Sequence, residues 1–70
     1  MTSRSSTFDV GRSIRIAQAA QNVSNTELAE RMGVGRSRVQ DYRTAKDMKL
    51  STVFKVCTAL GVDIKDFLSY

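Results

Sequence analysis

Residues 25–44, NTELAERMGVGRSRVQDYRT, constrain this chain more than any other stretch. Small or apolar side chains fall at Leu28, Ala29, Met32, Val34, Val39 and Tyr42, the spacing of two short helices with inward faces. Gly33 stands where the first helix must stop, and glycine tolerates the positive φ of such a corner. Two helices crossing steeply also need a small residue at the crossing, which Ala29 supplies. Ser24 and Glu27 have the spacing of a capping box, which ties off the free amides of the first helix.

On the second helix Val39 and Tyr42 point inward together. Arg36, Ser37, Gln40 and Asp41 share the opposite face, with Arg38 at its margin. The commonest use of this geometry presents the second helix to the major groove of DNA. The plain alternative is a helical hairpin with a solvated polar face.

Charge distribution favours the groove. Of the net charge of +4, residues 1–35 hold +1, residues 36–49 hold +3 and residues 50–70 hold none. The excess therefore lies on the second helix and the loop after it, and phosphate affinity needs such concentration.

Seventy residues make one domain near the lower limit for a self-supporting core. With no proline and four glycines the chain reads as helical throughout. Residues 1–7 read as a disordered tail and residues 8–70 as the domain. A first helix is expected from near Asp9 to Gln21, capped by Asp9 or Thr7, with Ile14, Ala17 and Gln21 on one face and Val10 and Ala20 nearby. Gly11 weakens its start. The second and third helices span about 25–32 and 36–44, and a basic loop covers 45–50. A fourth opens at Ser51, ends before Gly61, and buries Val53, Phe54, Val56, Cys57 and Leu60. A short fifth runs over about 64–68 with Asp63 as N-cap, and Val62 stapled onto Phe67 across it.

Other function classes find little support. With no histidine, one cysteine and scattered carboxylates, neither an enzyme site nor a metal site is expected. No cofactor or small-molecule ligand is implied. Cys57 reads as a small buried side chain in a reducing cytosol. No apolar run approaches the ~20 residues of a membrane span, and the polar MTSRSST start lacks a signal-peptide core. The expected location is the cytoplasm, on DNA.

With the residues laid out, the chain resembles the phage-repressor and Cro-like (XRE-type) helix-turn-helix family. TELAERMGV at 26–34, RSRVQ at 36–40 and ALGVDIKDFL at 59–68 carry the resemblance, which covers roughly residues 12–70 without a gap. It implies an all-α, compact five-helix bundle of the lambda-repressor-like type, with the helix-turn-helix at about 25–44, binding operator DNA as a dimer.

The family's base-reading positions fall on Arg36, Ser37, Gln40 and Asp41. Its phosphate-holding positions fall on Asn25, on the loop residues Lys46 and Lys49, and on the amides around Ser51. Arg38 and Arg43 join these as phosphate candidates that set register but not sequence. Three departures stand out. Gln18 and Arg43 occupy the positions of a buried arginine–glutamate pair, Ala45 replaces a helix-ending glycine, and Gly35 replaces a serine or threonine cap.

Arginine can take guanine O6 and N7 with two parallel bonds, and glutamine can pair with adenine. Arg36 is the first choice for guanine, a phosphate contact being its alternative. Gln40 reads adenine or faces solvent. Asp41 accepts from cytosine N4 or holds Arg38 or another arginine in position, and Ser37 acts by steric permission or by readout. One reading helix covers too few bases, and two copies about 34 Å apart solve this. Residues 62–70 are the expected homodimer surface, through Val62, Ile64, Phe67 and Tyr70; the alternative is that Phe67 and Leu68 finish the core. The leading reading is a small operator-binding repressor. A protein-interaction module of the antitoxin or antirepressor kind is its competitor.

Overall fold

The computed structural model describes residues 9–70, so the expected tail and Thr7 as a cap lie outside the described residues. Five helices follow one another: α1 Val10–Gln21, α2 Asn25–Met32, α3 Arg36–Thr44, α4 Leu50–Leu60 and α5 Ile64–Ser69. Among the described residues there is no strand, and no helix is long and apolar enough to cross a membrane. This is the all-α five-helix fold expected.

Local chemistry sets the helix ends. Asp9 caps α1, its carboxylate accepting from the Arg12 amide at 3.1 Å. The box at α2 is complete: the Glu27 amide donates to Ser24 Oγ (3.1 Å) and the Ser24 amide to Glu27 Oε1 (3.2 Å). Asp63 caps α5 through the Lys65 amide at 3.2 Å. At the other ends Asn22, Gly33 and Gly61 turn left-handed, with φ of 55°, 69° and 73°. The next amide folds back onto each helix, Val23 to the Gln18 carbonyl, Val34 to Ala29 and Val62 to Cys57.

The core forms where the inner faces meet. Phe67, Ile14, Leu28, Leu60, Val10, Val39 and Val56 are fully enclosed, each contributing about 1.5–3 kcal/mol by leaving water. Ala29 is buried in α2, and Met32, Val34 and Tyr42 pack partly against this core.

Four expectations need correction. Ala20 and Gln21 are exposed: the last turn of α1 extends past the core, and after the reversal at Asn22 it is Val23 that is buried. Phe54 is 49% exposed, because it lies about 100° round α4 from Val53, off the stripe of Val53, Val56, Cys57 and Leu60. Helix α4 opens one residue early, since its first bond already runs from the Val53 amide to the Lys49 carbonyl at 3.0 Å. Phe67 has no accessible surface at all, so it completes the monomer core and cannot face a second copy.

Candidate nucleic-acid interface

Val39 is the one fully buried residue of α3, and it fixes which way the helix faces. Arg36, Ser37, Arg38, Gln40 and Asp41 are all exposed. Among the described residues Asp41 forms no ion pair with Arg38 or any other arginine; the pair that does form is Arg31–Glu27 at 3.7 Å. The outer side of α3 is therefore a row of donors and acceptors directed to solvent.

Helix α3 and the next helix also differ from the rest at their starts. Asp9, Ser24 and Asp63 cap α1, α2 and α5, whereas Gly35 before α3 and Lys49 before α4 give no side-chain acceptor. The first amides of both helices are left to outside acceptors, and the positive end of the helix dipole favours anions there. Lys46 and Lys49 are exposed in the loop between these two starts, and Ser51 is exposed in the first turn of α4. The loop is tightened by Asp47, whose carboxylate takes the Met48 amide at 2.8 Å.

Asn25 and Arg43 are placed differently. Asn25 opens α2 half-buried, and its Oδ1 accepts from Gln18 Nε2 (2.9 Å) and Arg43 Nη1 (3.0 Å). Two donors on one oxygen fix the amide orientation and direct its NH₂ end away from them. Arg43 is half-buried, with Nε enclosed and unpartnered. Its guanidinium is thus half withdrawn from solvent and tied to Asn25 through Nη1. The Gln18 and Arg43 departures resolve here into one arrangement, in which Asn25 bridges the two residues that replace an ion pair. An open cleft of about 450 Å³ beside Asn25 is lined by Arg15, Gln18, Glu27 and Arg43 among others.

Of the expected dimer residues, Val62, Ile64 and Tyr70 are partly buried against the core and Phe67 wholly so. The exposed apolar surface belongs instead to Leu50 (63%), Phe54 and Leu68 (52%) on α4 and α5. Sequence reading missed Leu50 and put Phe54 inside; the angular position of Phe54 on α4 was the available signal. Among the described residues no three metal-binding side chains cluster. Burial pushes the Cys57 thiol pKa up, and the Asp63 charge adds to the shift.

Comparison with known proteins agrees with this geometry. A family model described as the Cro/C1-type HTH DNA-binding domain matches residues 13–70. The fold is similar to the restriction-modification controller protein C.AhdI from Aeromonas hydrophila, at a TM-score of 0.71 and 24% identity, over 86% of this chain and 92% of that one. No curated protein matches the sequence. From residue 13 onward the exposed α3 and the corner at Gly33 lie within the matched region, and the chain belongs to the Cro/C1-type helix-turn-helix DNA-binding family.

Proposed function

We propose that this DNA-binding protein is a sequence-specific transcriptional regulator, a small phage-type repressor that occupies a palindromic operator as a two-fold homodimer. The observation that carries the reading is α3 itself, anchored by Val39 with Arg36, Ser37, Gln40 and Asp41 exposed along its outer side. In this reading α3 enters the major groove. Arg36 takes a guanine, Gln40 an adenine, Asp41 a cytosine amino group, and Ser37 permits close approach. Asp41 has no arginine partner among the described residues, which favours the base contact over a bracing role.

Arg38, Lys46, Lys49, the amide end of Asn25 and the open amides around Ser51 hold phosphates and set register. Arg43 braces Asn25 and reaches phosphate only with its outer N–H groups. Val62, Ile64 and Tyr70, together with the exposed Phe54 and Leu68, supply the apolar surface for the second copy. A cytoplasmic protein is implied by its DNA target.

A controller of restriction-modification genes, the role named for C.AhdI, would use the same DNA-bound dimer, and the genes flanking this one separate the two. Selection from a random duplex library at low and physiological salt tests the reading. A palindrome with half-sites about one turn apart is expected, with preference at one base step lost on Arg36→Ala. Binding without sequence enrichment, fading steeply with salt, would reduce the interaction to phosphate attraction and favour the protein-partner module.

A further inference from the structure

Helix α3 ends in an unusual way. Its C-cap, Ala45, is extended (φ −71°, ψ 142°) and not left-handed, so no fold-back of the kind seen after α1, α2 and α4 satisfies its last carbonyls. The Asp41 and Tyr42 carbonyls find local donors, Thr44 Oγ1 at 3.2 Å and the Ala45 amide at 3.3 Å, and the donors beyond them come from α1. The Gly11 amide donates to the Ala45 carbonyl at 2.8 Å, and Arg15 Nη1 donates to the Arg43 carbonyl at 2.9 Å. Gln18, on the same face of α1 at spacings of four and three, reaches Asn25, which holds the Arg43 guanidinium. The first two attachments hold the end of the helix that carries the base-reading side chains directly, and the third reaches it through Asn25 of α2.

Gly11 is needed for space. Its φ is not positive; a Cβ at this position would stand 2.4 Å from the Arg43 oxygen and 2.8 Å from both the Ala45 oxygen and the Arg43 carbonyl carbon. All three are backbone atoms and none can rotate away. A glycine early in a helix, which costs stability by propensity alone, is here the condition for α1 to touch the end of α3.

We infer that the Gly11–Arg15–Gln18 face of α1 sets the tilt of α3 in the groove, which makes Gly11 and Arg15 positioning residues for sequence discrimination. This rests on the base-reading role proposed above for α3. Helix α3 is about 13 Å long, is pinned at its start by the Gly33 corner, and is steered at its far end by α1. Relieving the clash of an added methyl moves that end by about 1 Å, a tilt of roughly 4–5° about the corner. Gln40 and Asp41, halfway along, shift by about 0.5 Å, the tolerance of a positioned contact. Arg36, at the pivot, hardly moves.

The test compares wild type with Gly11→Ala, Arg15→Ala and Arg15→Lys by library selection, operator and non-operator affinity, and salt dependence. The base steps read by each side chain are first assigned with Arg36→Ala, Gln40→Ala and Asp41→Ala. Gly11→Ala and Arg15→Ala are expected to cut the operator-to-non-operator ratio about fivefold or more. The loss falls at the steps of Gln40 and Asp41, preference at the Arg36 step survives, and Arg15→Lys restores part of it. The salt slope stays as in wild type.

An unchanged ratio in a folded variant overturns the inference. So does a slope reduced by about 0.9 with the preference profile intact, which would make Arg15 a phosphate contact. If Gly11→Ala fails to fold, Arg15→Ala decides, because its side chain is exposed. A wild type that selects no sequence removes the base-reading proposal and this inference with it. A selective wild type with equally selective variants removes this inference alone.

Discussion

Asn25 offers opposed predictions from two substitutions of one side chain. In Asn25→Ala, Gln18 Nε2 and Arg43 Nη1 lose their shared acceptor. The neutral bond is worth about 1 kcal/mol and the charged one about 1.5–3 kcal/mol. Gln18 keeps a 3.3 Å bond to the Val23 carbonyl, and half-buried Arg43 recovers some hydration, so the net loss should be about 1.5–3 kcal/mol. That is a large share of the roughly 4–10 kcal/mol expected of a domain this size. Asn25→Asp keeps both bonds, gives Arg43 a counter-ion and puts a negative charge in the first turn of α2. The dipole term alone favours it by about 0.3–1 kcal/mol, so this variant should be more stable than wild type. It also loses the amide donor and adds a charge that repels phosphate, so DNA affinity at low salt should fall about fivefold or more. Urea unfolding followed by far-ultraviolet circular dichroism measures the first effect, and fluorescence anisotropy of labelled duplex the second. A loss under about 0.5 kcal/mol for Asn25→Ala, or an Asn25→Asp variant less stable than wild type, would refute the bridging account.

Two further substitutions test the core. Phe67→Ala should cost about 3–5 kcal/mol and leave the chain largely unfolded at 37 °C in thermal melts, whereas Phe54→Ala, made at a half-exposed position, should shift the melting temperature little; equal effects would contradict the assignment of Phe67 to the interior and Phe54 to the surface. The Cys57 thiol, raised first by burial and then by Asp63, binds its proton more tightly folded than unfolded. Its contribution to stability is therefore complete below the unfolded value of about 8.5 and is lost as pH rises through the higher folded value. Melting temperature should decline above about pH 8.5, and less steeply in Cys57→Ala; parallel declines would show that the thiol is not responsible.

What could be read in advance and what could not divide along physical lines. The box of Ser24 and Glu27, the corner at Gly33 and the inward Val39 depend on residues within a turn or two of each other, and their spacing states the geometry directly. The outer row of Arg36, Ser37, Gln40 and Asp41 follows from the same periodicity. Gly11 could not be assigned a purpose, because its reason is a backbone thirty-odd residues away. The loss of the usual ion pair at Gln18 and Arg43 was visible, but the residue between them was not, since three helices meet at Asn25. Phe54 shows the limit of counting apolar residues: α4 has more of them than one face can bury, and only the angle decides which is left outside.

Helix α3 meets the interior through one enclosed side chain, Val39, with Tyr42 and Arg43 half-buried beside it and the other six residues exposed. What the helix shows to solvent and what keeps it folded therefore reside in almost separate sets of residues. Exposed positions away from caps and buried contacts tolerate exchange within about 0.5 kcal/mol. Arg36, Ser37, Gln40 and Asp41 can be re-lettered together, by drift or by design, while the bundle beneath stays as it is, and under the base-reading role proposed for them such a change would alter the sequence read without altering the shape.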